Sequence, residues 1–188
     1  VASPLKLYDC CPFSDGASSV VLCSEKFAKA HGGDYVEVIG SGRGGSPAAL
    51  QGREHMTTIP STKIAAKAAY DMAGITAKDV DFAEVHDCFT IAEVVDTEDL
   101  GFFGKGQGIQ AIREDRTKLN SDISINPSGG LKSKGHPIGA TGIGQVVEVY
   151  DQLTGKAGAR TVKDAKVGLT HNFGATGASC AVHVFQSV

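Results

Sequence analysis

The sequence has no positive charge to spare: 18 Lys and Arg against 21 Asp and Glu leave a formal net charge of −3. Without a basic footprint, nucleic acid is excluded as the main partner. No apolar run approaches the roughly 20 residues that a membrane span needs. Internal repeats and low-complexity tails are missing. Metal-ligand spacing is missing as well. His86 and Cys88 lie two apart, but no CxxC, HxxxH or second close pair accompanies them, so no metal site is expected. A nucleophile elbow of GxSxG type is absent, which argues against an ordinary Ser/His/Asp hydrolase. The five cysteines, with Cys10 and Cys11 adjacent, are odd in number and make no disulfide framework. No secretory signal stands at the start, so reduced thiols in a cytoplasmic compartment are expected. The chain begins at Val1 rather than a methionine, which suggests a fragment or a processed piece.

What is present reads as one α/β unit, since 188 residues suffice for one good core or slightly more. Ser19–Ser24 is a short, β-branched apolar run and is expected to be a buried strand. Ser24 can cap a short helix to Ala30. Tyr35–Ile39 alternates as a strand, followed by a glycine-rich loop over 40–52. Ser61–Ala73 reads as a helix capped by Ser61 and ended by Gly74, with Ile64, Ala65, Ala68, Ala69 and Met72 as its stripe. Further strands fall at 81–85, 123–125, 166–170 and 179–185, and further helices at 90–100 and 143–153. The stretch 102–121 reads as irregular. Strands alternating with helices imply a layered domain with a mixed sheet.

Three clusters sit just past strand ends, where open α/β sheets place their ligands. They are His86-Asp-Cys-Phe89, the glycine-rich run Asn126–Gly142 around His136, and the loop His171-Asn-Phe-Gly-Ala-Thr-Gly177. Taken singly each has a bland explanation. A lone histidine is usually a surface or satisfied polar group, a lone thiol a small hydrophobe, and Lys132 and Lys134 are most simply solvated. Cys10, Cys11, Cys23 and Cys180 read as structural, and His31, His55 and His183 as incidental. Convergence of three histidine-bearing loops, one adding a thiol, points instead to a shared cleft.

At these clusters the sequence resembles the thiolases, over essentially its whole length and as the carboxy-terminal half of such an enzyme. Asn126-Pro-Ser-Gly-Gly130 followed by Gly135-His-Pro-Ile-Gly-Ala-Thr-Gly142 is similar to the thiolase histidine motif. His86-Asp-Cys-Phe stands where most thiolases carry Asn-Glu-Ala-Phe, and His171-Asn-Phe-Gly where most carry Cys-x-Gly. Both departures resemble the sterol-carrier-protein-type and archaeal branch. The resemblance implies one half of the αβαβα thiolase fold, a mixed five-stranded sheet covered by helices. Residues 1–33 would end the amino-terminal half and connect it, and 34–188 would form the carboxy-terminal domain.

It also implies an acyltransferase acting on coenzyme A thioesters, with no bound cofactor, that makes or cleaves 3-ketoacyl-CoA in lipid metabolism. His136 would activate the nucleophilic cysteine and polarise the thioester oxygen. Cys88 would be the acid/base at the α-carbon, with a nearby imidazole lowering its pKa. His86 would orient the donor completing an oxyanion hole. The backbone of Phe173 or Gly174 would supply a second hole with His171 beside it. Gly135 and Pro137 frame His136, and Cys11 would lie near the pantetheine arm.

The family's nucleophilic cysteine belongs to the amino-terminal half, so this chain alone is expected to be inactive. Implied partners are that half, in the same or a separate chain, a homodimer or higher oligomer, and an acyl-CoA-binding protein. The location would be cytoplasmic, or peroxisomal in a eukaryote. Two rivals are a ketosynthase half, suggested by His86, His136 and Lys132-Ser-Lys-Gly-His136, and a non-catalytic acyl-CoA-binding scaffold. Against the first, Asp-Cys-Phe replaces its Gly-Thr-Gly. Against the second stands the retention of Cys88, His136 and His171 together.

Overall fold

The computed structural model describes residues 3–188. Its centre is a five-stranded mixed sheet in the order β1-β5-β4-β2-β3. The strands are β1 (Val36–Gly45), β2 (Phe82–Glu84), β3 (Ser124–Ile125), β4 (Val167–Gly174) and β5 (Ser179–Ser187). β2 pairs in parallel with β3 and β4, whereas β5 runs antiparallel to β4 and β1. The helices are α1 (Glu25–His31), α2 (Pro60–Ala73), α3 (Thr90–Asp99), α4 (Gly108–Arg113), α5 (Gly130–Lys134) and α6 (Ile138–Leu153). Neighbouring residues of a strand face opposite ways, and the core divides accordingly. Ala83, Val182 and Val184 pack with α2 residues Ala65, Ala66 and Ala69. Phe82 and Phe185 pack with Val149 of α6.

Several expectations are corrected. The run Gly40–Gly45 is not a loop but the second half of β1. Gly40, Gly42 and Gly44 face the backbone carbonyls of Ala69, Ala65 and Ser61, and an added Cβ at any of them would overlap those atoms. The glycines let α2 lie directly on the strand, and only small helix residues fit the seam. That rotates the stripe: Ser61, Thr62, Ala65, Ala66 and Ala69 are buried, while Ile64 and Met72 are more than half exposed. Ser61 does not cap α2. Pro60 occupies the first turn, Ile59 is the N-cap, and Asp99 Oδ2 accepts the Ile59 N–H at 2.6 Å. Ser61 instead donates to the Gly177 carbonyl at 2.7 Å.

The run Ser19–Ser24 is no buried strand. It lies extended without a strand partner, with Val21 and Leu22 89% and 81% exposed. The stretch thought irregular contains α4. The third cluster is likewise no loop: His171–Gly174 continues β4, paired with β5 from His171↔Val182 to Gly174↔Ser179.

Candidate active site

β2 ends at Glu84, and the chain then carries His86, Asp87 and Cys88 past the sheet. β3 delivers its continuation to the same place. Asn126, at φ +50, accepts the Val85 N–H through Oδ1 at 2.8 Å and donates through Nδ2 to Glu93 at 2.9 Å. Below it, the buried Glu84 carboxylate accepts from the Ser128 amide and hydroxyl at 3.0 and 2.6 Å and from Lys134 Nζ at 3.1 Å. Lys134 is therefore an anchor of the histidine loop rather than a solvated charge. Gly135 follows at φ +82, where a Cβ would collide with the Ser14 hydroxyl. Pro137 is the N-cap of α6.

His136 stands between these two special residues. Its amide donates to the Pro12 carbonyl at 3.2 Å, and its residue pairs with Phe13 as an isolated parallel bridge. The Thr141 hydroxyl donates to the Pro137 carbonyl at 3.1 Å and lies 2.7 Å from His136 Nδ1. When that hydroxyl hydrogen goes to the carbonyl, Nδ1–H donates to Thr141 and Nε2 keeps a free lone pair. Burial lowers the His136 pKa, and the Asp87 charge opposes that shift. The ring is thus a neutral base at pH 7. His136 lines an open hollow of about 350 Å³ with Phe13, Ser14, Asp15 and Ile138.

The other imidazoles close around it. His86 meets His136 edge-on with centroids 5.0 Å apart and packs on Phe173 at 4.7 Å. Burial, then the neighbouring His136, pushes its pKa down to about 4. His171 is fully enclosed and lies 5.8 Å from Phe173. Its Nδ1 accepts the His86 N–H at 3.5 Å, so Nε2–H donates to Thr62 Oγ1 at 2.9 Å, whose hydroxyl donates to Cys180 Sγ at 3.7 Å. Asp96 Oδ2 sits 3.7 Å from His171 Nδ1, close enough to invite an ion pair. Burial decides otherwise. It pushes His171 down to about 3 and Asp96 well up, so both are neutral. Neither Asp96 oxygen, nor His86 Nδ1, has a hydrogen-bond partner among the described residues.

Cys88 is half-buried at the edge of this cluster. Cys11 donates its N–H to the Cys88 carbonyl at 3.0 Å, and Cys10 bridges Phe89 beside it. Cross-strand neighbours of this kind share a face, which brings Cys11 to the Cys88 side. Burial, then the Cys11 and Asp96 charges, pushes the Cys88 thiol up to about 12. The expected lowering by an imidazole is therefore reversed: in this chain Cys88 is a protonated thiol.

Among the residues named from sequence, His86, His136, His171 and Phe173 form one cluster, with Cys88, Cys11, Gly135 and Pro137 around it. Gly174 stands apart at the head of the β4–β5 turn, its carbonyl accepting from Gly177 and Ala178 at 3.0 and 3.1 Å. Sequence reasoning missed Thr141, Asn126, Glu84 and Asp96. Thr141 had a visible signal, its place five residues after His136 inside the first turn of a helix.

These loops and this sheet define a class. A family model described as thiolase C-terminal domain-like matches residues 42–187. The chain belongs to the thiolase family, as a domain of its carboxy-terminal type. It is 48% identical over 186 residues to an acetyl-CoA acetyltransferase of Methanothermobacter thermautotrophicus, covering 99% of this chain and 49% of that protein. It is 40% identical to human sterol carrier protein 2, covering 93% of this chain and 33% of that protein. A solved structure described as an Ltp2-ChsH2(DUF35) aldolase superimposes with a TM-score of 0.87 at 20% identity, over all of this chain and 48% of the other. The chain thus spans about half the length of the acetyltransferase it matches. Among the described residues no helix is long and apolar enough to cross a membrane.

Proposed function

We propose that the chain is the carboxy-terminal catalytic half of an acyl-CoA C-acyltransferase that makes or cleaves 3-ketoacyl-CoA, completed by a half carrying the nucleophilic cysteine. Residues 1–33 connect the halves, and 34–188 form the domain described above. The observation that carries this reading is His136 itself, its Nδ1 held 2.7 Å from the Thr141 hydroxyl and its ring set against His86 beside an open hollow. With Nδ1–H given to Thr141, Nε2 is the free, neutral base.

In the reaction, His136 Nε2 takes the proton of the incoming nucleophilic thiol, which becomes the attacking thiolate. Cys88 moves the proton at the substrate α-carbon. As a thiol of raised pKa it is set to protonate the departing enolate in the cleavage direction, and the same proton returns in condensation. His86, neutral at pH 7, can donate a ring N–H to the thioester oxygen, while Phe173 packs on its ring and His171 holds its backbone amide. Cys11 borders the path of the pantetheine arm. The relatives' acetyltransferase name supports a coenzyme A thioester as substrate, and the sterol carrier name of another relative keeps a non-catalytic acyl-CoA-binding scaffold as the alternative.

One set of measurements tests this. The purified 188 residues should show no thiolysis of acetoacetyl-CoA, and the chain joined to its amino-terminal half should. In that assembled enzyme Cys88→Ala should lower turnover by about 100-fold or more. Unchanged turnover would favour the scaffold, and activity of the isolated chain would overturn the two-half reading.

A further inference from the structure

We propose that Asp87 is a positioning residue for this site: its carboxylate clasps the loop after β2 to the loop that carries His136, and sets the electric field at that imidazole. The proposal rests on the roles just given to His136 and Cys88.

Asp87 lies in the chain between His86 and Cys88 and is 4% exposed. The first amides of a helix have no helical acceptor, and α5 solves this from outside its own sequence. Ser128 Oγ takes the Gly130 N–H at 3.2 Å, and Asp87 Oδ1 takes the Leu131 N–H at 2.8 Å. Leu131 is 1% exposed, so without Asp87 its amide would be buried and unpaired.

Gly130 shows how closely the clasp is fitted. It sits at φ +66, and a Cβ there would overlap Asp87 Oδ2. Both sides are constrained: glycine to admit the side chain, and a short side chain with an oxygen to reach the amide.

The charge has a second consequence. Around His136 stand the His86 ring, the Thr141 hydroxyl, the strip Phe13–Asp15, and Asp87. Of these, Asp87, whose own pKa burial raises and the Leu131 amide lowers, favours the protonated imidazole, against burial of the ring. Around Asp87 itself stand Lys134 of α5, the thiols of Cys11 and Cys88, and Glu93 and Asp96 of α3. The carboxylate therefore touches both loops that bear chemistry and biases the base on one of them.

The experiment joins the chain to its amino-terminal half and follows the His136 ring proton by NMR titration without substrate. It compares the parent with Asp87→Asn and Gly130→Ala. Asp87→Asn keeps an oxygen for Leu131 but removes the charge. The His136 midpoint then moves to lower pH, and the acid limb of kcat/KM for thiolysis moves with it. Gly130→Ala keeps the charge but forces the carboxylate off Leu131, and kcat/KM falls by about 100-fold, as displaced catalytic groups do. An unmoved His136 midpoint in Asp87→Asn overturns the proposal, and so does parent-like activity in Gly130→Ala. Because the titration needs no substrate, a parent enzyme without thiolysis would remove the assigned reaction and still leave the midpoint to decide the role of Asp87.

Discussion

Three imidazoles of the site are neutral at pH 7, yet they differ in what that neutrality does. His136 has a free nitrogen and can take a proton. His86 has an unpaired Nδ1 and a ring wedged between His136 and Phe173. His171 is wired at both nitrogens and is support. The acid that faces His171 gives a measurable consequence. Asp96 is held well above the ordinary carboxylate range by burial and by the neighbouring Asp99, Glu93 and Asp87 charges. A folded-state pKa raised in this way means that the native chain keeps a proton the unfolded chain sheds. Stability is then lost as pH rises from about 4 toward the native midpoint, by about 1.4 kcal/mol for each pH unit of that interval. Asp96→Asn carries no such cost. Urea unfolding should show the variant gaining on the parent as pH rises above about 4, with no gain below the ordinary carboxylate pKa. The histidine contributions are common to both proteins and cancel in the difference. A gap independent of pH would mean that Asp96 is ionised in the folded chain.

At the scale of elements, the seam between α2 and β1 decides much of the sheet's geometry. Gly44→Ala would place a methyl inside contact with the Ser61 carbonyl, whereas at Gly45 the nearest atom is 3.9 Å away. Gly44→Ala should cost about 1–3 kcal/mol in thermal or urea unfolding, and Gly45→Ala should stay within about 0.5 kcal/mol. Equal effects would mean that the seam relaxes freely. This seam also explains what the sequence did and did not disclose. The strand at 81–85, the helices near 61–73, 90–100 and 143–153 and the histidine loop were legible, because periodicity and glycine punctuation are local. The glycines of β1 read as a loop because their partner, a helix backbone, lies some 20 residues on. For the same reason Ile64 and Met72 looked like core. Proximity of His86, His136 and His171 was legible from the convergence of their clusters, although His171 lies within β4 rather than past its end. The protonated state of Cys88 was not, since it follows from burial and neighbouring acids rather than from its motif.

The whole molecule carries a strip, residues 7–22, that is strongly apolar and strongly exposed: Leu7, Tyr8, Phe13, Val21 and Leu22 are all more than 70% accessible. α6 contributes to the same impression, since beside Val149 the residues it buries are Thr141, Gln145, Glu148 and Gln152, while Ile143, Val146, Val147 and Tyr150 are only half-buried. A face of that kind marks an association surface, in keeping with relatives twice the length of this chain. The buried strand expected at 19–24 does not form: its apolar composition is there, but the run has no strand partner and Val21 and Leu22 stand exposed.

The strip does one more thing. Midway along it, two backbone bonds leave in different directions: the Cys11 amide to the Cys88 carbonyl, and the His136 amide to the Pro12 carbonyl. Neighbouring residues of one exposed ribbon thus fasten the thiol loop and the imidazole loop, which are otherwise separated by nearly 50 residues of chain. A ribbon without strand partners beyond this point opens easily, and both fastenings open with it. Hydrogen exchange should therefore find the Cys11 and His136 amides losing their protons together in the isolated chain, at a rate set by one opening event. Docking of the amino-terminal half should slow both by a common factor. In that sense the ribbon is a latch read by two loops at once, and the proposed amino-terminal half is expected to hold it shut.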